Sequence, residues 1–84
     1  MRFMVLGSWD PVDPAIPRLI ASEQQRTAEL MQEGFVQQLL LRADGAGGYM
    51  IVSADSAASA TAQLSTLPFM KEGIMRAELI ALND

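Results

Sequence analysis

Apolar and polar positions divide the chain into short, well-marked elements. Arg2 to Ser8 is a compact apolar run closed by Gly7-Ser8, which predicts a buried strand. Trp9-Asp10-Pro11-Val12-Asp13-Pro14-Ala15-Ile16-Pro17 predicts a structured loop. Pro11 and Pro14 fix their own backbone and turn Asp10 and Asp13 away from helix, so both aspartates read as turn formers. A helix begins between Pro14 and Pro17, where proline is tolerated in the first turn. Ile16, Leu19, Ile20, Leu30 and Met31 recur at helical spacing, and Gly34 serves as the C-cap residue. Phe35 to Arg42 is a strand with apolar residues on both faces. Ala43 to Gly48, containing Asp44-Gly45, is a hairpin turn, and Tyr49 to Ala54 returns as the third strand. Asp55 or Ser56 caps a second helix with Ala57, Ala60, Leu64 and Leu67 inside, and Pro68 ends it. Ile74 to Leu82 is the last strand. Met75, Ala77, Leu79 and Ala81 lie on one of its faces; Ile74, Arg76, Glu78, Ile80 and Leu82 lie on the other.

The order β-α-β-β-α-β predicts an α+β, ferredoxin-like fold: one antiparallel four-stranded sheet with two helices on one face. Residues 1–84 make a single domain, since 84 residues allow no more. Three of the strands are apolar on both faces, yet helices cover only one. The free face therefore predicts a homodimer, two sheets facing each other in a dimeric α/β barrel with helices outside.

Composition narrows the chemistry. There is no cysteine and no histidine. This excludes a disulfide framework, a thiolate nucleophile, a Ser-His-Asp triad, and His-ligated zinc or haem. No Asp/Glu cluster has EF-hand spacing, so no metal is expected. Six basic against ten acidic residues argue against nucleic acid, whose backbone demands cations. The apolar runs are too short for a membrane span, and Met1 to Gly7 is too short for a signal-peptide core. The expectation is a cytoplasmic protein.

The candidate site residues follow from position and chemistry. On a helical wheel Ile16, Leu19, Ile20, Leu30 and Gly34 form one apolar sector. Glu23 falls near its centre, with Thr27 beside it. A carboxylate on a buried stripe is costly unless paired or useful. Burial would raise its pKa, which suits a general base near neutrality. The alternative is a structural pair with Arg26 or Arg76. Arg42 and Arg76 can bind a substrate carboxylate or hold an enolate; Arg76 can equally bridge to Glu78. Trp9, the only tryptophan, can wall a ligand pocket or cover the core. Tyr49 and Ser53, on one face of the third strand, can donate to a carbonyl. Gly45, Gly47 and Gly48 read as hairpin glycines, and the methionines as core fillers.

Several segments in order carry a resemblance: Glu23 with Glu29-Leu30 and Gly34, Arg42-Ala43-Asp44-Gly45, Asp55-Ser56, and Leu64-Ser65-Thr66-Leu67-Pro68. Together the chain resembles the muconolactone isomerase-like branch of the dimeric α/β-barrel superfamily. That resemblance implies a homodimer or a ring of dimers, no cofactor, and proton transfer on a small lactone or enone. It implies Glu23 as the catalytic base, with substrate contacts among Trp9, Thr27, Arg42, Tyr49, Ser53 and Arg76. Muconolactone-type substrates carry a carboxylate, so an arginine is expected near the pocket. The chain departs from the branch at Trp9-Asp10-Pro11 and in ending at Leu82-Asn83-Asp84. Two other functions fit the same fold: a cofactor-independent monooxygenase of aromatic polyketide-type substrates, and a non-catalytic small-molecule-binding or accessory protein.

Overall fold

Strands β1 (Arg2–Ser8) and β3 (Gly47–Ser53) are the central pair of an antiparallel sheet ordered β2-β3-β1-β4, with β2 (Val36–Leu41) and β4 (Arg76–Ala81) at its edges. Central strands lie between neighbours on both sides, which suits their apolar runs. A computed structural model describes residues 1–83 of the chain; Asp84, the end of the tail noted above, lies outside them. Phe3 and Val5 of β1, Val36 of β2 and Met50 and Val52 of β3 point toward the helices. They pack with Leu19 and Leu30 of α1 (Ile16–Gln32), Ala60 and Leu64 of α2 (Ala57–Leu64), and with Leu67 and Phe69. The expected α+β, ferredoxin-like arrangement is thus the one formed.

Local chemistry sets the element ends. Asp10 Oδ1 accepts from Val12 N and Asp13 Oδ1 from Ala15 N, making the two turns that launch α1. Gly34 closes α1 with a φ of 84°. Its N–H donates to Met31 O and that of Phe35 to Leu30 O, the paired bonds of a Schellman stop. Ser56, not Asp55, caps α2 by accepting from Ser59 N. In β2 a bulge between Val36 and Gln38 resets the alternation, so Val36, Leu39 and Leu41 all face the helices while Leu40 faces away.

The second helical region differs from the sequence reading. Helix α2 stops at Leu64, Ala57 is exposed, and Leu67 reaches the core from a turn. Pro68 does not end a helix; it begins one, α3 (Pro68–Lys71). The residue before a proline is driven out of helical conformation, and Leu67 is extended with ψ 134°. Gly73 ends α3 with a φ of 71°, and β4 then starts at Arg76.

Among the described residues no helix covers the opposite face of the sheet. Leu40, Tyr49, Leu6 and Glu78 make one cross-strand row; Gln38, Ile51, Met4 and Ile80 make the next. Leu40, Tyr49 and Ile80 are exposed there.

Candidate active site

The sheet-facing stripe of α1 reads Leu19, Glu23, Thr27, Leu30. Its ends are buried, and its middle is a half-buried carboxylate and a short hydroxyl side chain. Beneath that middle, Gly48 lies between Leu41 and Gly7 of the neighbouring strands. Two adjacent strands therefore omit a side chain where a core would place one. A Cβ at Gly48 would stand 3.1 Å from Leu41 Cδ2. The result is a cavity of about 280 Å³ between α1 and the sheet.

Its walls are apolar. Leu39, Met50 and Met75 form the floor, and Trp9 and Phe69 close one end. Those two rings meet edge to face, with centroids 5.4 Å apart. Ile20, Met31 and Leu41 line the cavity and are also exposed, so they mark its mouth. Among the lining residues Glu23 alone carries a formal charge; Gln24, Thr27 and the Trp9 indole complete the polar groups.

Glu23 is held by one bond. Its Oε1 accepts from the Phe69 N–H at 2.9 Å. The reason lies in α3: Pro68 brings no N–H, and Leu67 has no side chain that can cap. The first free amide of α3 is therefore satisfied by a carboxylate 46 residues away. Oε2 has no hydrogen-bond partner among the described residues and is not buried, which leaves it open for a ligand. Burial raises the Glu23 pKa above 4.5, and the Phe69 N–H partly opposes this. Thr27 Oγ1 donates to the Glu23 carbonyl at 2.8 Å, so its proton is committed to the helix.

The structure brings Glu23, Trp9 and Thr27 together and places the other candidates elsewhere. Arg42, Tyr49 and Arg76 line a separate cleft of about 310 Å³ with Ser8 and Glu78 on the uncovered side of the sheet. Residue parity is the cause: Tyr49 and Arg76 alternate away from Met50 and Met75, which face the cavity. Among the described residues no arginine lines the pocket, contrary to the expectation. Arg42 is paired with Asp44 at the hairpin. Ser53 sits at the far end of β3, in an open polar groove with Glu33, Asp55 and Ser59. That groove is wider, but it encloses little, and ligand sites bury most of their ligand. The structural pairing considered for Glu23 does not form: Arg26 bonds Glu29, Glu33 and Thr66. Nor does a bridge join Arg76 to Glu78 among the described residues.

Phe69, Gly48 and the lining methionines were missed by the sequence reading. The signal for Phe69 was present in Pro68 followed five residues later by Gly73, a short helix with both its start and its stop. Gly48 looked like turn chemistry because it adjoins a hairpin.

The model of the muconolactone delta-isomerase family matches residues 8–84. The chain belongs to that family. The match spans α1 with Glu23, the hairpin and both later helices, so every lining residue of the cavity falls within the muconolactone delta-isomerase region. The crystal structure of muconolactone isomerase is similar with a TM-score of 0.79 at 26% identity, covering 98% of this chain and 88% of that one. The 5-chloro-2-hydroxyhydroquinone dehydrochlorinase of Burkholderia phenoliruptrix, solved in complex with 2,5-dihydroxybenzoquinone, is similar with a TM-score of 0.71 at 19% identity. That match covers 99% of this chain and 94% of that one, and at such identity it is a likeness of fold. No curated protein sequence matches the chain. Among the described residues no helix is long and apolar enough to cross a membrane.

Proposed function

We propose that the chain is a small isomerase that moves a proton along a lactone or enone, with Glu23 as the base. One observation carries this: a half-buried carboxylate fixed through Oε1 and open at Oε2, at the wall of an apolar cavity. In the step, Oε2 takes a proton from the carbon α or γ to the carbonyl. The C–H electron pair moves into the conjugated system and leaves negative charge on the carbonyl oxygen. Glu23 then returns the proton to the other of those two positions, two carbons along, and the oxyanion's electron pair re-forms the carbonyl. The single fixed oxygen holds the carboxylate still while the other works. The Trp9 indole and the Gln24 amide are the lining donors free to meet the developing oxyanion. No cofactor takes part in this scheme.

The reading also includes self-association. Leu40, Tyr49, Leu6, Ile51, Met4 and Ile80 give the uncovered sheet face an apolar surface suited to a second copy, and obligate interfaces of this kind bury over ~2,000 Å². The function is tested by incubating the protein with muconolactone in deuterated water and following exchange by NMR. Enzyme-dependent migration of the double bond is the expected result, with deuterium entering to the extent that the Glu23 proton exchanges with solvent before its return. Binding without migration would overturn it.

A further inference from the structure

We propose that the Glu23 cavity selects a neutral substrate, a lactone or enone without a free carboxylate; this rests on the reading of that cavity as the substrate site. The cavity's 280 Å³ is the liquid volume of about nine waters, room for a ligand of about ten non-hydrogen atoms. If round, it is about 8 Å across, so any charge on the ligand stands within about 8 Å of the Glu23 carboxylate. At an effective permittivity of ~20, repulsion over that distance weakens an anion about thirtyfold. The Leu39, Met50 and Phe69 walls add the cost of stripping water from a carboxylate.

None of the six cationic side chains, Arg2, Arg18, Arg26, Arg42, Lys71 and Arg76, lines the cavity. Arg26 is held by Glu29 and Glu33, Arg18 by Glu72 and Arg42 by Asp44, while Arg76 stands across the sheet. What the walls offer instead suits a flat, uncharged, unsaturated ring: two aromatic edges and the polarizable sulfurs of Met31, Met50 and Met75.

Trp9 is the only tryptophan and lines the cavity, so its fluorescence reports occupancy. The probes are muconolactone, an anion at pH 8, and its methyl ester, which keeps the ring and loses the charge. The ester should bind at least tenfold more tightly than the acid. In Glu23→Gln that preference should shrink severalfold, because the repelling charge is gone. Gln24→Arg, an exposed position on the lining, should raise affinity for the acid relative to the ester about tenfold. Equal or tighter binding of the acid by the wild type would overturn the proposal. So would an unchanged preference in both variants, or no response to the ester at millimolar concentration. Double-bond migration, followed separately by NMR, keeps the two ideas apart. An ester bound tightly but not isomerised ends the proton-transfer reading alone; an acid that is preferred and isomerised ends neutral selection alone.

Discussion

Under the proposed function Glu23 both caps α3 and takes the substrate proton, and two substitutions separate the two roles. Glu23→Gln keeps an oxygen for the Phe69 N–H but cannot take a proton. Glu23→Ala removes both. In the alanine variant a part-buried amide at the start of α3 loses its acceptor. Leaving such a donor unsatisfied costs ~1–3 kcal/mol, which for a domain of this size lowers the thermal midpoint by roughly 5–20 °C. Glu23→Gln should melt near the wild type at acidic pH. The sign of the pH dependence follows from the raised pKa, whose main cause is burial. Between 4.5 and the raised value the folded chain keeps a proton that the unfolded chain has lost. The Glu23 contribution to stability is thus fullest below 4.5 and falls as pH rises through that window. The stability of Glu23→Gln relative to wild type should accordingly grow in the variant's favour across it. Urea melts of the three proteins at half-unit pH steps, paired with turnover of muconolactone or its ester, measure all of this. Turnover should fall by roughly 10²–10⁴ in Glu23→Gln without loss of fold. The reasoning is refuted if Glu23→Gln stays fully active, or if the wild type gains stability over it as pH rises from 4.5 to 7.

Three further outcomes follow from the geometry. Gly48→Ala puts a Cβ 3.1 Å from the end of Leu41, which is 71% exposed and can yield. Urea unfolding should shift by less than about 1 kcal/mol while Trp9-detected affinity for the ester drops severalfold. Gly34→Ala meets no atom within 4 Å, so its cost is the left-handed backbone alone. That should be ~1–2 kcal/mol in a urea melt, with ligand affinity unchanged. Leu6→Glu places a charge in the middle of the uncovered sheet face; sedimentation at micromolar concentration should show a dimer or larger for wild type and a monomer for the variant.

Hydrophobic periodicity carried the strands well, because each face of a strand is declared every second residue. It located β1 at its observed ends and sorted β4 correctly into Ala77, Leu79 and Ala81 against Arg76, Glu78 and Ile80. It also put Glu23 and Thr27 on the buried stripe of α1, since the helical period is as strict. It failed where a backbone effect outweighed side-chain pattern. The extended Leu67 before Pro68 broke one continuous helix into α2 and α3, and with that break came the Phe69 N–H that fixes Glu23. Tyr49 and Arg76 were drawn into the site by chemistry alone. Their own parity already put them opposite Met50 and Met75, on the far side of the sheet. Gly48 was read as part of a hairpin, because a residue's local turn context says nothing about what faces it across a core.

The cavity itself argues that Glu23 is more than a cap for α3. A cap needs one acceptor and no surrounding space, and Phe69 would be as well served in a filled core. Here Thr27 stands on α1 where a leucine would pack, and Gly48 faces it from the sheet with no side chain at all. A dry void of 280 Å³ would cost about 7 kcal/mol at ~24 cal/mol per Å³, a large share of the stability of a whole small domain. A cavity open to solvent avoids that cost. This one opens through the mouth at Ile20, Met31 and Leu41, where apolar walls meet water. Water against such walls is readily displaced by an apolar ligand of matching size, and the displacement leaves Oε2 of Glu23 facing the ligand in a drier medium. Desolvation then pushes the carboxylate further toward holding a proton, so the filled site gives Glu23 greater basicity than the empty one. The same missing side chains that weaken the core therefore make room for a ligand and raise the basicity of the carboxylate that faces it.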